Sequence, residues 1–180
     1  MLKFPIVLSL LSAAFLPSSA QTAVPAAWKA KVTEAMPLLG HRNWILIVDS
    51  AYPLQVSPGV ETIETNADQL EVVQFVLHSM AKSIHVRPVI SLDSELPFVP
   101  EPEAPGVTVY RNHLADLLHD YPTESQLHWK NIQDIAQAGE KFHVLVLKTN
   151  MTLPYTSVFI QLDCKYWSAD AEKRLRSSMP

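Results

Sequence analysis

The chain has 180 residues, 48% hydrophobic and 18% charged, enough to bury one substantial core. Its 14 Lys and Arg stand against 18 Asp and Glu, a formal net charge of −4 with no basic stripe, which argues against a nucleic-acid partner. A single cysteine, Cys164, excludes an intrachain disulfide, and seven histidines without an HExxH, a CxxC or a close His pair give a metal site no support.

The first twenty residues read as an export signal. Lys3 gives a positive start, Phe4 to Leu16 is apolar, and Ser18-Ser19-Ala20 offers small residues for cleavage before Gln21. The apolar run is short for a stable membrane anchor. The expectation is a periplasmic or secreted protein without membrane contact after cleavage, and one domain over residues 21–180. Loss of Lys3 takes the mature charge to −5.

Pro25 suits the first turn of a helix whose apolar positions, Trp28, Val32, Ala35, Met36 and Leu39, recur at helical spacing. Pro37 shortens its last turn, and Gly40 fits the left-handed position beyond its end. Trp44 to Val48 is continuously apolar, as in a strand covered on both faces. Asp49 ends it, at the carboxyl end where open α/β sheets place their ligands. Ser50 to Gly59 is a loop and Val60 to Glu64 a short strand. Asn66 or Asp68 caps a helix carrying Leu70, Val73, Val76, Leu77 and Met80. Val86 to Leu92 is a second buried strand.

Asp93 to Gly106 carries Pro97, Pro100, Pro102 and Pro105 and reads as an extended surface excursion. Val107 to Tyr110 reads as a short strand, Arg111 to His119 as a short helix, and Glu124 to Ala138 as a helix stopped by Gly139. His143 to Thr149 and Ser157 to Leu162 follow as strands close enough in sequence to form an antiparallel hairpin, with a charged helix from Ala169 to Arg176. Strands alternating with helices predict an α/β class: a three-layer α/β/α domain with a mixed, mostly parallel sheet and a C-terminal antiparallel hairpin. No GxGxxG and no P-loop is present.

Two stretches carry a resemblance. Gly40-His41 is followed by an aspartate eight residues after the histidine, across an apolar strand, and then by the Pro53 turn. Lys148-Thr149-Asn150-Met151-Thr152-Leu153-Pro154-Tyr155-Thr156-Ser157 lies near the other end. In this order they resemble the opening motif and the Arg-Thr-Gly-Glu…Tyr-x-Asn hairpin of the sugar mutarotase/pyranase family, which contains ribose pyranase and fucose mutarotase. Tyr110-Arg111-Asn112 is similar to a tripeptide of some fucose mutarotases. The resemblance covers roughly Trp28 to Trp167, with the central part matching loosely.

What it implies is chemistry that needs no cofactor. A base takes the proton of the anomeric hydroxyl, an acid protonates the ring oxygen, and the opened sugar recloses as another anomer or ring size. Histidine suits both roles because its unperturbed pKa of about 6.5 populates both forms near neutrality. The resemblance thus makes His41 the acid/base, Asp49 its orienter or a hydroxyl ligand, and Tyr155 an assisting donor. Lys148, Ser157 and Tyr52 are candidate substrate contacts, and no residue is a metal ligand. Asp68 reads as a helix cap rather than a site residue. Each extended residue advances about 3.3 Å, so a straight path from His41 to Asp49 spans roughly 26 Å. Either the chain doubles back before Trp44, or a homo-oligomer shares the site between subunits, and the family's oligomeric habit favours the second.

The chain departs from the family at five positions. Asn150 and Met151 replace the hairpin Gly and Glu, Ser157 replaces an Asn, Asn43 replaces an acidic residue, and Lys148 lacks the guanidinium fork. Fewer sugar partners remain, so the alternative is a non-catalytic module binding a sugar or another small polar ligand. Asn150-Met151-Thr152 is also a glycosylation sequon, and a glycan there would obstruct the hairpin, which favours bacterial export.

Overall fold

The computed structural model describes residues 27–180, so the export signal and Pro25 lie outside the described residues. The elements are α1 (Ala27–Ala35), β1 (Trp44–Val48), β2 (Val60–Glu64), α2 (Gln69–Lys82), β3 (Val86–Asp93), α3 (Val107–Leu118), β4 (Thr123–Gln126), α4 (His128–Gly139), β5 (Val144–Lys148), β6 (Val158–Cys164) and α5 (Ala169–Ser178). All six strands join one sheet in the order β2-β5-β1-β6-β3-β4. Strand β6 runs antiparallel to both its neighbours, and the other pairings are parallel.

The period of two along β1 divides its side chains between two layers. Ile45 and Ile47 pack with α1, α2 and α3, against Val32, Val76, Leu77 and Leu114. Leu46 and Val48 face α4 through Ile135, with Phe159 and Val146 beside them. This is the expected three-layer α/β/α arrangement with a mostly parallel sheet. Strands β5 and β6 are consecutive and opposite in direction, as the short connection requires. Strand β1 is inserted between them, so the ladders of β6 are with β1 and β3. Among the described residues no helix is long and apolar enough to cross a membrane.

Several local expectations are corrected. Gly40 is not in the left-handed region; Arg42 is, at φ 75°, while the Gly40 N–H donates to Asn43 Oδ1 at 2.7 Å. Residues Val107 to Tyr110 are not a strand but the first turn of α3. Val107, Tyr110, Leu114 and Leu118 share its buried face, and the Glu101 carboxylate receives the N–H groups of Gly106 and Thr108. The expected helix from Glu124 begins only at His128, because Thr123–Gln126 pairs with β3 as a polar edge strand. Gly139 closes α4 without positive φ. It is small because a Cβ would meet Val60 Cγ2 at 2.7 Å, and its carbonyl accepts the Gly59 N–H at 2.9 Å.

The proline-rich connection after β3 is not a loose excursion. It folds through a short turn of 3-10 helix at Leu96–Phe98, and Leu96, Val99 and Ala104 are buried against α3. Arg111 Nη1 ties it down by donating to the carbonyls of Leu96, Pro97 and Val99. Its prolines therefore preset turns rather than an extended chain.

Candidate functional site

The parallel strands β1, β3 and β5 all end on the side where β6 begins, and the polar residues gather there. Asp49 follows β1, and its Oδ1 accepts the Ala51 N–H at 2.8 Å, closing a tight turn. That turn buries Tyr52, whose hydroxyl accepts from Gln55 Nε2 at 2.7 Å. Burial first, then the charges of Asp93 and Asp49, push the Tyr52 phenol well above its ordinary pKa, so it stays protonated. Lys148 ends β5 and donates through Nζ to the Tyr52 carbonyl at 2.9 Å.

Across the sheet, Asp93 ends β3 with its carboxylate fully buried. It has two partners: Asn131 Nδ2 donates to Oδ1 at 2.8 Å, and His128 Nδ1 lies 2.8 Å from Oδ2. Burial raises the Asp93 pKa from its usual value, while the bonds from Asn131 and His128 oppose that rise. Asn131 is itself held in one orientation, since its Oδ1 accepts from Ser91 Oγ at 2.9 Å and Gln126 Nε2 at 2.6 Å. His128 opens α4, and its backbone N–H donates to both oxygens of Glu95 at 3.0 Å, a carboxylate placed at a helix N-terminus. A carboxylate against Nδ1 places the imidazole proton there and leaves Nε2 with a free lone pair. The imidazole is about one-third exposed, so part of the ring reaches solvent.

Tyr155 and Ser157 complete the group from the connection into β6. The Tyr155 ring stands edge-on to His128 with centroids 5.6 Å apart. Its φ of 58° is left-handed backbone that a non-glycine residue adopts at a cost of about 1–3 kcal/mol. Ser157 is buried with its Oγ unpartnered. Behind these residues Gln69 Nε2 donates to the carbonyls of Ile47 and Thr156, and the Tyr110 hydroxyl donates to Thr156 as well, pinning the entry into β6.

Five of the six residues singled out from the sequence (Asp49, Tyr52, Lys148, Tyr155 and Ser157) therefore lie at this one end of the sheet. His41 lies at the other. A turn closed by the Asn43 N–H on the Gly40 carbonyl precedes Trp44, but it does not carry His41 back along β1: Arg42 N–H donates to the Leu162 carbonyl and Leu162 N–H to the Asn43 carbonyl, which hold the segment at the amino end of the strand. His41 is exposed, with Nδ1 3.1 Å from Asp163 Oδ1, and Arg87 donates twice to Oδ2 of the same carboxylate. Partial burial works against the Asp163 charge, but the bonds from Arg87, the Cys164 N–H and His41 hold its pKa below the ordinary value.

Asp93 and His128 were not singled out in the sequence. Asp93 stands directly after an apolar strand, as Asp49 does, and that parallel was the available signal. His128 had none, because it lies 35 residues away and inside what reads as one continuous helix. Among the described residues no group of three or more His, Cys, Asp or Glu could hold a metal ion.

No protein-family profile matches the chain, and no curated protein matches it in sequence. Solved structures do match in fold. The RbsD of Bacillus subtilis, determined in complex with D-ribose, aligns with a TM-score of 0.53 at 14% identity, over 78% of this chain and 95% of its own. The FucU of Bifidobacterium longum aligns with a TM-score of 0.50 at 14% identity, over 73% of this chain and 92% of its own. The chain thus has an RbsD/FucU-type fold.

Proposed function

We propose that the protein interconverts anomers or ring forms of a free monosaccharide by acid–base ring opening at the carboxyl end of β1 and β3. The observation that carries this reading is the His128–Asp93 pair, an imidazole whose Nδ1 is held by a buried carboxylate and part of whose ring reaches solvent. His128 Nε2 takes the proton of the anomeric hydroxyl as the bond between the anomeric carbon and the ring oxygen breaks. The Tyr155 hydroxyl donates to the ring oxygen as negative charge develops there. The open-chain carbonyl compound rotates and recloses by the reverse transfers. Asp49 binds hydroxyls, while the Ser157 Oγ, unpartnered but enclosed by protein, does not face the sugar in this conformation. Lys148 and Tyr52 shape the floor rather than reach the sugar, since each is engaged within the protein. A fold shared with a structure that holds D-ribose supports a small sugar as ligand.

His41 joins this chemistry only from a second copy that places its own sheet end over the first. The connections leaving the carboxyl ends carry exposed Leu54, Val56 and Phe98, and Trp129 is exposed beside His128, apolar surface that such a neighbour would cover.

NMR exchange spectroscopy over a panel of free aldoses tests the activity. The expected result is exchange faster than in buffer for at least one sugar, lost in folded His128→Gln. No acceleration for any sugar rejects the isomerase. The second reading, a sugar-binding module without turnover, is favoured by the departures at Asn150, Met151 and Ser157. Calorimetric binding of a sugar whose exchange is not accelerated would support it. Export with cleavage after Ala20 belongs to the same proposal. Mass spectrometry of protein recovered outside the cytoplasm should find Gln21 first, and an intact Met1 in a cytoplasmic pool would contradict it.

A further inference from the structure

Helix α4 crosses the sheet from the carboxyl end of β3 at its start to the β5 side at its end, and leaves the part of that face toward the amino end of β3 open. There the period of two brings Trp44, Gln161, Val89 and Ser91 to one surface, and a cleft of about 650 Å³ lies between these strands and α4. That volume suits a small molecule. The cleft is lined mainly by amides, hydroxyls and charges rather than by an apolar stripe, which a helix or another apolar element would need.

The charges are unequally satisfied. Asp163 is taken by Arg87 and His41, and Asp134 by Lys130 and Gln126. Arg42 and Lys141 line the same end of the cleft, and among the described residues neither has a carboxylate within salt-bridge distance. The Arg42 guanidinium lies 6.0 Å from the Phe142 ring centroid, and its backbone holds φ 75°, a strained state for arginine. The lining carboxylate without a cation is Glu124. It sits beside Ser91 on β4, three strands across from the line of β1 and three residues along from the Pro88–Leu162 level where Arg42 joins the ladder, roughly 17 Å from Arg42 along the backbone surface. Between the two ends lie Gln161, the Trp44 ring and the paired Ser91 and Gln126, whose positions are set by their bonds to Asn131.

We infer that this cleft is a second ligand site, for a small polyhydroxylated anion such as a sugar acid or a sugar phosphate. Its carboxylate or phosphate sits between Arg42 and Lys141, and its hydroxyls run along Gln161, Ser91 and Gln126 over Trp44. None of these residues touches the sugar in the proposed isomerase, although Ser91 and Gln126 also orient Asn131, which bonds Asp93.

Calorimetric titration of the full folded protein at low ionic strength tests it, with gluconate, glucose 6-phosphate, glucose and inorganic phosphate as probes. At least one of the two anionic sugars should bind, and tighter than glucose by about tenfold or more. Which one does so tells a carboxylate site from a phosphate site. Lys141→Gln, an exposed substitution, should weaken that binding several-fold, and Arg42→Gln with Lys141→Gln should abolish it, while His128→Gln should leave it unchanged. Added salt at 0.5 M should weaken it as well. Three outcomes overturn the site: neither anionic sugar binding better than glucose, binding retained in Lys141→Gln, or inorganic phosphate binding as tightly as the sugar phosphate. Loss in His128→Gln would move the anion to the other end of the sheet and also overturn it.

Discussion

Asp93 shows how one buried carboxylate can serve a site and burden a fold. Its pKa is raised by burial, so the native protein binds its proton more tightly than the unfolded chain does. Stability then falls as pH rises from the usual carboxylate value through the raised one. Asp93→Asn removes that charge and keeps the shape. With Asn131 still donating to the new carbonyl oxygen, the new amide group faces His128 Nδ1, which must now accept, so the imidazole proton moves to Nε2. The expected result is a thermal midpoint at pH 7 equal to or above that of the parent, with sugar exchange slowed about 10²-fold or more. Circular dichroism melts and exchange NMR on the same sample check both halves. A large loss of stability would show that the charge supports the fold rather than burdening it.

The start of α3 carries a separate pH dependence. Glu101 accepts the N–H groups of Gly106 and Thr108, and these bonds, led by the one from Gly106, hold its carboxyl down to about 2 against a usual 4.5. A depressed acid contributes stability that is complete above its unfolded pKa and is lost as pH falls through the folded one. The contribution of this cap should therefore fade between about pH 4.5 and 2. Glu101→Gln should lower the midpoint at pH 7 and flatten the decline in that window. Parallel melts of parent and variant from pH 7 to 2 measure it, and identical pH profiles would remove Glu101 from the helix start.

Sharing between copies belongs to the whole molecule. His41 and Asp49 stand at opposite ends of β1 within one chain, so one small sugar cannot touch both unless a second chain supplies one of them. Mixing His41→Ala with Asp49→Ala subunits should regenerate some sites that carry both groups, with partial recovery of exchange or ligand binding. Absence of recovery after verified subunit exchange would leave His41 outside the reaction and the chemistry to His128 alone.

What short-range physics controls is legible in the sequence alone. The apolar run of β1, the cap at Asp68, whose side chain accepts from Leu70 and Glu71, and the acidic residue at the strand's carboxyl end are all written in neighbouring residues. Five of the six residues it marked fall at one end of the sheet, because strand direction and connection lengths already constrain which ends meet. Where the local pattern was ambiguous, tertiary contacts decided. Val107 and Tyr110 belong to a helix because a carboxylate six residues before Val107 anchors its first turn, and Thr123–Gln126 is a strand only because β3 offers it a ladder. The insertion of β1 between β5 and β6, and the meeting of Asp93 with His128, depend on pairings between distant segments. Those are set by which faces can be buried together, and no window of sequence contains both partners.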